Sequence, residues 1–152
     1  MGSFSFRRAV SDDVAALVAL LADDPIGRGR ESAGTPLDPR YAEAFSAIER
    51  DPNQLLAVAE RDGRVLGVLQ LSFIPGLTRR GMWRGQIEGV RVAASERRGG
   101  IGRAMLEWAI EECRKRGCGM VQLTSDKRRS AAHAFYDALG FQATHEGYKL
   151  SL

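Results

Sequence analysis

One stretch limits the fold of this chain more than any other: Val90-Arg91-Val92-Ala93-Ala94-Ser95-Glu96-Arg97-Arg98-Gly99-Gly100-Ile101-Gly102-Arg103. A strand runs into a basic, glycine-rich turn, and the turn opens a helix in which Ile101, Met105, Ala109 and Cys113 align at helical spacing. Met120 to Thr124 then reads as another strand, so the segment is a strand–helix–strand crossover and demands a parallel strand pair. The glycines bring bare backbone N–H groups to the start of the helix. Those donors and the positive helix end make a site for phosphate, to which Arg98 or Arg103 can add charge-assisted hydrogen bonds. A nucleotide P-loop would need Gly-Lys-Ser/Thr, whereas Arg103-Ala104 follows Gly102. A dinucleotide fingerprint would want a small residue where Met105 stands. A glycine-rich connection without a ligand is the plain alternative.

The rest of the chain supplies partners for that crossover. Phe4 to Val10 reads as a strand, and Ser11 caps a helix carrying Val14, Leu17, Val18 and Leu21. A Gly- and Pro-containing loop from Pro25 to Pro39 precedes a second helix from about Pro39 to Glu49. Leu55–Glu60 and Val65–Phe73 form a hairpin about Arg61-Asp62-Gly63-Arg64. Met82 to Val92 is the strand that enters the glycine turn, and the helix after it runs from Ile101 to Arg116, closed by Gly117. Ser130 to Leu139 is a helix stopped by Gly140, and Phe141 to Leu150 a last strand. The order β-α-α-β-β-β-α-β-α-β predicts a single α/β (α+β) domain over residues 1–152. Its sheet is mixed, mostly antiparallel and of about six strands, with helices on both faces.

Composition excludes several classes. With 44% hydrophobic and 27% charged residues the chain is globular rather than disordered. No apolar run reaches the roughly 18–20 residues of a membrane helix, and Met1 to Ser5 carries no secretory or myristoylation pattern, so a cytoplasmic location is expected. Cys113 and Cys118 are expected reduced, and their spacing, with only His133 and His145 besides, does not suit zinc. The net charge is +3, but no aromatic–basic interleaving or helix-turn-helix pattern points to nucleic acid.

Arg97-x-x-Gly100-x-Gly102, after a strand ending in Val90-Arg91-Val92, resembles the signature of the GCN5-related (GNAT) N-acetyltransferases. The likeness in element order extends from Phe4 to Leu150. A second block, Ala131-Ala132-His133-Ala134-Phe135-Tyr136-Asp137-Ala138-Leu139-Gly140-Phe141, resembles that family's Ala-x-x-x-Tyr-x-x-x-Gly-Phe block on the last helix. The run Ser125-Asp126-Lys127-Arg128-Arg129 looks like a subgroup containing aminoalkylphosphonate acetyltransferases. The resemblance implies acetyl-CoA as cosubstrate, no metal, a small-molecule amine as acceptor and, as in many relatives, a homodimer. It implies that Arg97, Arg98, Gly99, Gly100, Ile101, Gly102 and Arg103 cradle the pyrophosphate, that Val90, Arg91 and Val92 line the pantetheine arm, and that the Val92 N–H meets the acetyl carbonyl. Tyr136 would protonate the departing thiolate, as a phenol of pKa about 10 can. Many members carry Asn where Arg129 stands; Arg128 or Arg129 can contact phosphate or face solvent.

Acetyl transfer also needs a base for the amine. Glu88 is the candidate, placed by strand alternation on the same face as Val92, with Gln86 one step further and His133 a weaker choice. The acceptor pocket is expected from the loops 25–38 and 74–84, where Arg28, Arg30, Glu31, Arg79, Arg80 and Trp83 would suit an anionic amine. Acetylation of a protein N-terminus or lysine, and a domain that binds acyl-CoA without turnover, are the alternatives.

Overall fold

The computed structural model describes residues 3–152. Its centre is a five-stranded sheet in sequential order: β1 (Ser5–Arg8), β2 (Gln54–Arg61), β3 (Arg64–Ile74), β4 (Arg84–Val92) and β5 (Met120–Leu123). The first four strands are antiparallel to their neighbours, and β4 and β5 run parallel, as the crossover requires. Asp62 and Gly63 turn the β2–β3 hairpin with φ of 52° and 73°, the doubly positive geometry that Asp-Gly favours.

Helices cover both faces. α1 (Val14–Ala22) and α2 (Pro39–Arg50) lie on one, where Leu17 and Phe45 pack with Ala9, Val58 and Val68. α2 starts as its sequence suggests, with Asp38 accepting the Arg40 N–H and Pro39 in the first turn. α3 (Thr78–Gly81) is a single turn in which Arg79 and Arg80 take φ of 54° and 61°. α4 (Ile101–Lys115) lies on the opposite face, burying Ile101, Met105, Leu106, Ala109 and Cys113 against Leu66, Leu69, Leu71, Phe73 and Ile87. That contact is close enough to require glycine at position 85, where a Cβ would come within 2.1 Å of Cys113 Sγ. α5 (Ser130–Ala138) adds Phe135 and Tyr136 to the edge of the same core.

The expected sixth strand is not formed. Phe141–Leu150 makes no ladder with β5, and beyond half-buried Phe141 every residue is exposed. Phe141 with Ala143, and Tyr148 with Leu150, alternate as in a strand, but the segment takes up no partner although β5 is paired on one side only. Both cysteines are free; burial pushes the Cys113 thiol up to about 12.

Candidate functional site

The site begins where two strands part. β4 pairs with β5 from Arg84–Met120 to Ile87–Leu123; β5 then ends, while β4 continues to Val92. From Glu88 onward one edge of β4 is therefore open. On its other edge a bulge interrupts the ladder. Gly89 and Val90 stand against the single residue Leu69, between the pairs Gln70–Glu88 and Val68–Arg91, and Gly89 has a φ of 61°. This extra residue overturns the expected alternation. Val90 and Val92 join Ile87 on the α4 face, whereas Glu88 lies with Gln86 and Arg91 on the α1–α2 face. Glu88 and Val92 do not share a face.

The turn after β4 presents its backbone. Arg98 and Gly100 have φ of 69° and 82°, and Gly100 is the residue from which α4 starts. Among the described residues no backbone carbonyl or capping side chain accepts the N–H groups of Ile101, Gly102 or Arg103. Together with the positive end of a 15-residue helix they form a concave donor set for an anion. Gly102 lies against Val92 and Phe135, where a Cβ would sit at 3.6 and 3.7 Å. Arg98 and Arg103 are exposed. Arg97 instead folds back, donating from Nη2 to the Asp23 carbonyl at 3.1 Å and from Nε to the Val92 carbonyl at 3.3 Å.

Asp24, at the end of α1, was not singled out by its sequence, yet it joins three parts of the site. Its carboxylate accepts from Arg91 Nε of β4 and from Arg129 Nη2 at the start of α5, both at 3.0 Å, and from the N–H groups of Ile26 and Gly27. Its side chain is only 9% exposed. Burial alone would raise its pKa; the Gly27 and Ile26 donors and the Arg91 and Arg129 charges outweigh burial and bring it to about 2. Arg129 is thus held by Asp24 and is not an idle surface residue, while exposed Arg128 pairs with Asp126. No local pattern marks the pairing of Asp24 with its two arginines, because they lie 67 and 105 residues away.

Tyr136 is half-buried, its ring edge-on to Phe135 and Phe141 at 5.4 and 5.9 Å. Burial raises its pKa against the opposing fields of Arg91 and Arg129, so the phenol stays protonated at neutral pH and can donate. His133 Nε2 lies 2.9 Å from the Asp126 carbonyl oxygen, a contact in which that nitrogen donates and is unsuited to act as a base.

Glu88 is exposed and held by Gln86 Nε2 at 2.6 Å, while Gln122 Nε2 donates to Gln86 Oε1 at 2.9 Å. The ladder aligns Gln54, Ser72, Gln86 and Gln122 as a row across four strands, with Gln70 and Glu88 in the next. Gln70 and Ser72 both donate to Gln54 Oε1 at 2.9 Å. This part of the sheet face is polar. Of the loop residues, Arg28, Arg30, Arg79, Arg80 and Trp83 are exposed, and Glu31 is tied to α2 by accepting the Tyr41 hydroxyl proton at 2.8 Å.

Residues 14–141 match the model of the acetyltransferase (GNAT) family. The chain is 30% identical to aminoalkylphosphonate N-acetyltransferase of Salmonella typhimurium over 140 residues, 91% of this chain and 85% of that one. It is 37% identical to glucosamine 6-phosphate N-acetyltransferase of Trypanosoma brucei brucei over 90 residues, 59% of each. A solved structure from Bacillus halodurans, described as a transcriptional regulator, superposes with a TM-score of 0.96 at 44% identity, covering 99% of this chain and 100% of that one. The chain belongs to the GNAT acetyltransferase family, and with it to the acetyl-CoA-dependent acyltransferases. Among the described residues no helix is long and apolar enough to cross a membrane.

Proposed function

We propose that the chain is one N-acetyltransferase domain that passes acetyl from acetyl-CoA to the primary amine of a small molecule by direct attack in a ternary complex. The observation that carries this reading is the opening of β4 from β5 at Glu88, with unpaired donors of the α4 start at one end. The residues fit the cosubstrate: Arg98 to Arg103 would hold its pyrophosphate, and Val90 to Val92 its pantetheine arm. Bound there, acetyl-CoA supplies an activated acyl carbon. The Val92 N–H steadies the carbonyl oxygen as negative charge develops on it. Glu88 takes the amine's proton, directly or through water, and Tyr136 gives its own to the leaving sulfur. Two free cysteines suit a reducing, cytoplasmic setting.

The acceptor is an amine that also carries a phosphorus oxyanion. Two relatives are named for such acceptors, and exposed Arg28, Arg30, Arg79 and Arg80 lie in the loops expected to frame the acceptor. Thiol release measured over paired amines with and without a phosphonate or phosphate tests this; equal kcat/KM across each pair excludes the anionic class. In calorimetry with acetyl-CoA, Gly100→Glu should abolish binding, and retained affinity removes the phosphate site from the α4 start. Tyr136→Phe should lower kcat by about 100-fold or more with acetyl-CoA affinity unchanged, as expected for loss of a general acid.

A further inference from the structure

Arg7, Arg61, Arg84, Arg91 and Arg129 are the half-buried arginines of the fold. Taking a guanidinium out of water calls for an anion, and four of them have one. Arg7 pairs with Asp13, Arg61 with Glu96, and Arg91 and Arg129 with Asp24. Arg84 is the exception: among the described residues it has no ion-pair partner, and its Nε is buried with no hydrogen-bond acceptor. Arg61 Nε is unpartnered too, but that guanidinium already meets Glu96 at 3.1 Å. The neighbours of Arg84 in the ladder, Ile74 on β3 and Met120 on β5, are apolar and offer it nothing. A buried polar atom left unpaired in a native fold marks a place for a partner from outside the chain.

The strand that carries Arg84 defines what would fit. β4 pairs with β3 without a break from Arg84 to Glu88, so its side chains alternate. Gly85 and Ile87 meet the α4 side, and Arg84, Gln86 and Glu88 share the other. Gln70 and Ser72 of β3 and Gln122 of β5 flank them. The strip is positive at one end, negative at the other and neutral between, with Arg84 about 13 Å along the strand from Glu88. Its electrostatic complement is a molecule with an oxyanion at one end and an amine at the other. Arg79 and Arg80 stand exposed on α3, whereas Arg84 and Glu88 are fixed relative to each other by one strand. We propose that Arg84 holds the oxyanion of the acceptor while its amine meets Glu88, so that the acceptor lies along β4. This assignment rests on the reading of Glu88 as base and of the acceptor as an anionic amine, and adds the residue that selects it. The guanidinium fork can give two parallel N–H bonds to a phosphonate or phosphate, and half-burial makes them stronger than those of an exposed arginine.

Thiol release with two amines of equal chain length, an aminoalkylphosphonate and an amino alcohol without an anionic group, tests it in the unaltered protein, Arg84→Met and Arg84→Lys. Arg84→Met keeps an apolar stem and removes the charge. It should lower kcat/KM for the phosphonate about 10- to 100-fold, mainly through KM, and leave the amino alcohol within about 3-fold. Arg84→Lys should restore part of the loss, as a point charge without the fork. Turnover of the amino alcohol reports that each variant is folded and holds acetyl-CoA. An equal loss on both amines makes Arg84 a structural residue and overturns the assignment, as does a phosphonate preference that survives Arg84→Met. Both of those outcomes leave the anionic-acceptor reading standing. An unaltered protein that does not favour the phosphonate removes that reading, and the assignment with it.

Discussion

Replacing Asp24 by Asn tests the junction on which α1, β4 and α5 converge. The carboxylate holds Arg91 and Arg129 together, and its pKa is about 2 in the fold against an ordinary 3.8. At about 1.4 kcal/mol per unit, that difference corresponds to ~2 kcal/mol of stability at neutral pH. Because the folded value is the lower one, this contribution is complete above about pH 5 and lost as pH falls towards 2, with about half gone by pH 3. Asn keeps an acceptor oxygen but leaves the two guanidinium groups without an anion. Breaking a fully buried pair costs ~3–5 kcal/mol, and partial exposure of the two arginines, 16% and 25%, reduces this to ~2–3 kcal/mol. For a chain of this length the melting temperature should drop by about 5–10 °C. Thermal unfolding followed by circular dichroism at neutral pH reads that drop, and urea midpoints down to about pH 3 read its decline. A variant melting within about 1 °C of the parent at neutral pH, or a urea difference that does not shrink with acid, refutes the reasoning.

Glu88→Gln should lower kcat/KM about 10- to 100-fold near neutral pH while leaving acetyl-CoA affinity intact. The deficit should narrow as pH rises, because a larger fraction of the amine is already neutral; a pH-independent deficit would point to an orienting role instead. Gly85→Ala should destabilise the protein by ~1–3 kcal/mol, since the new Cβ would stand 2.1 Å from Cys113 Sγ. Adding Cys113→Ala should restore part of that loss, because the sulfur goes and the Cβ of residue 113 lies 3.3 Å away; strictly additive urea midpoints would show that the two positions do not interact.

The elements that answer to local rules were legible without coordinates. Asp62-Gly63 made its turn, Gly117 took the left-handed position that closes α4, and the apolar spacing of Ile101, Met105, Ala109 and Cys113 became the buried stripe of that helix. The family and the glycine turn follow from neighbouring residues whose meaning does not depend on distant ones. Three features depended on tertiary structure. The bulge at Gly89 moves Glu88 and Val92 to opposite faces, because one extra residue reverses a period of two. Asp24 meets Arg91 and Arg129 only after the sheet and α5 have assembled, since a carboxylate's partners 67 and 105 residues away leave no trace in its own neighbourhood. The segment after Phe141 is expected to be a strand, but a strand needs a partner edge, and its own residues do not carry that edge; within this chain it finds none.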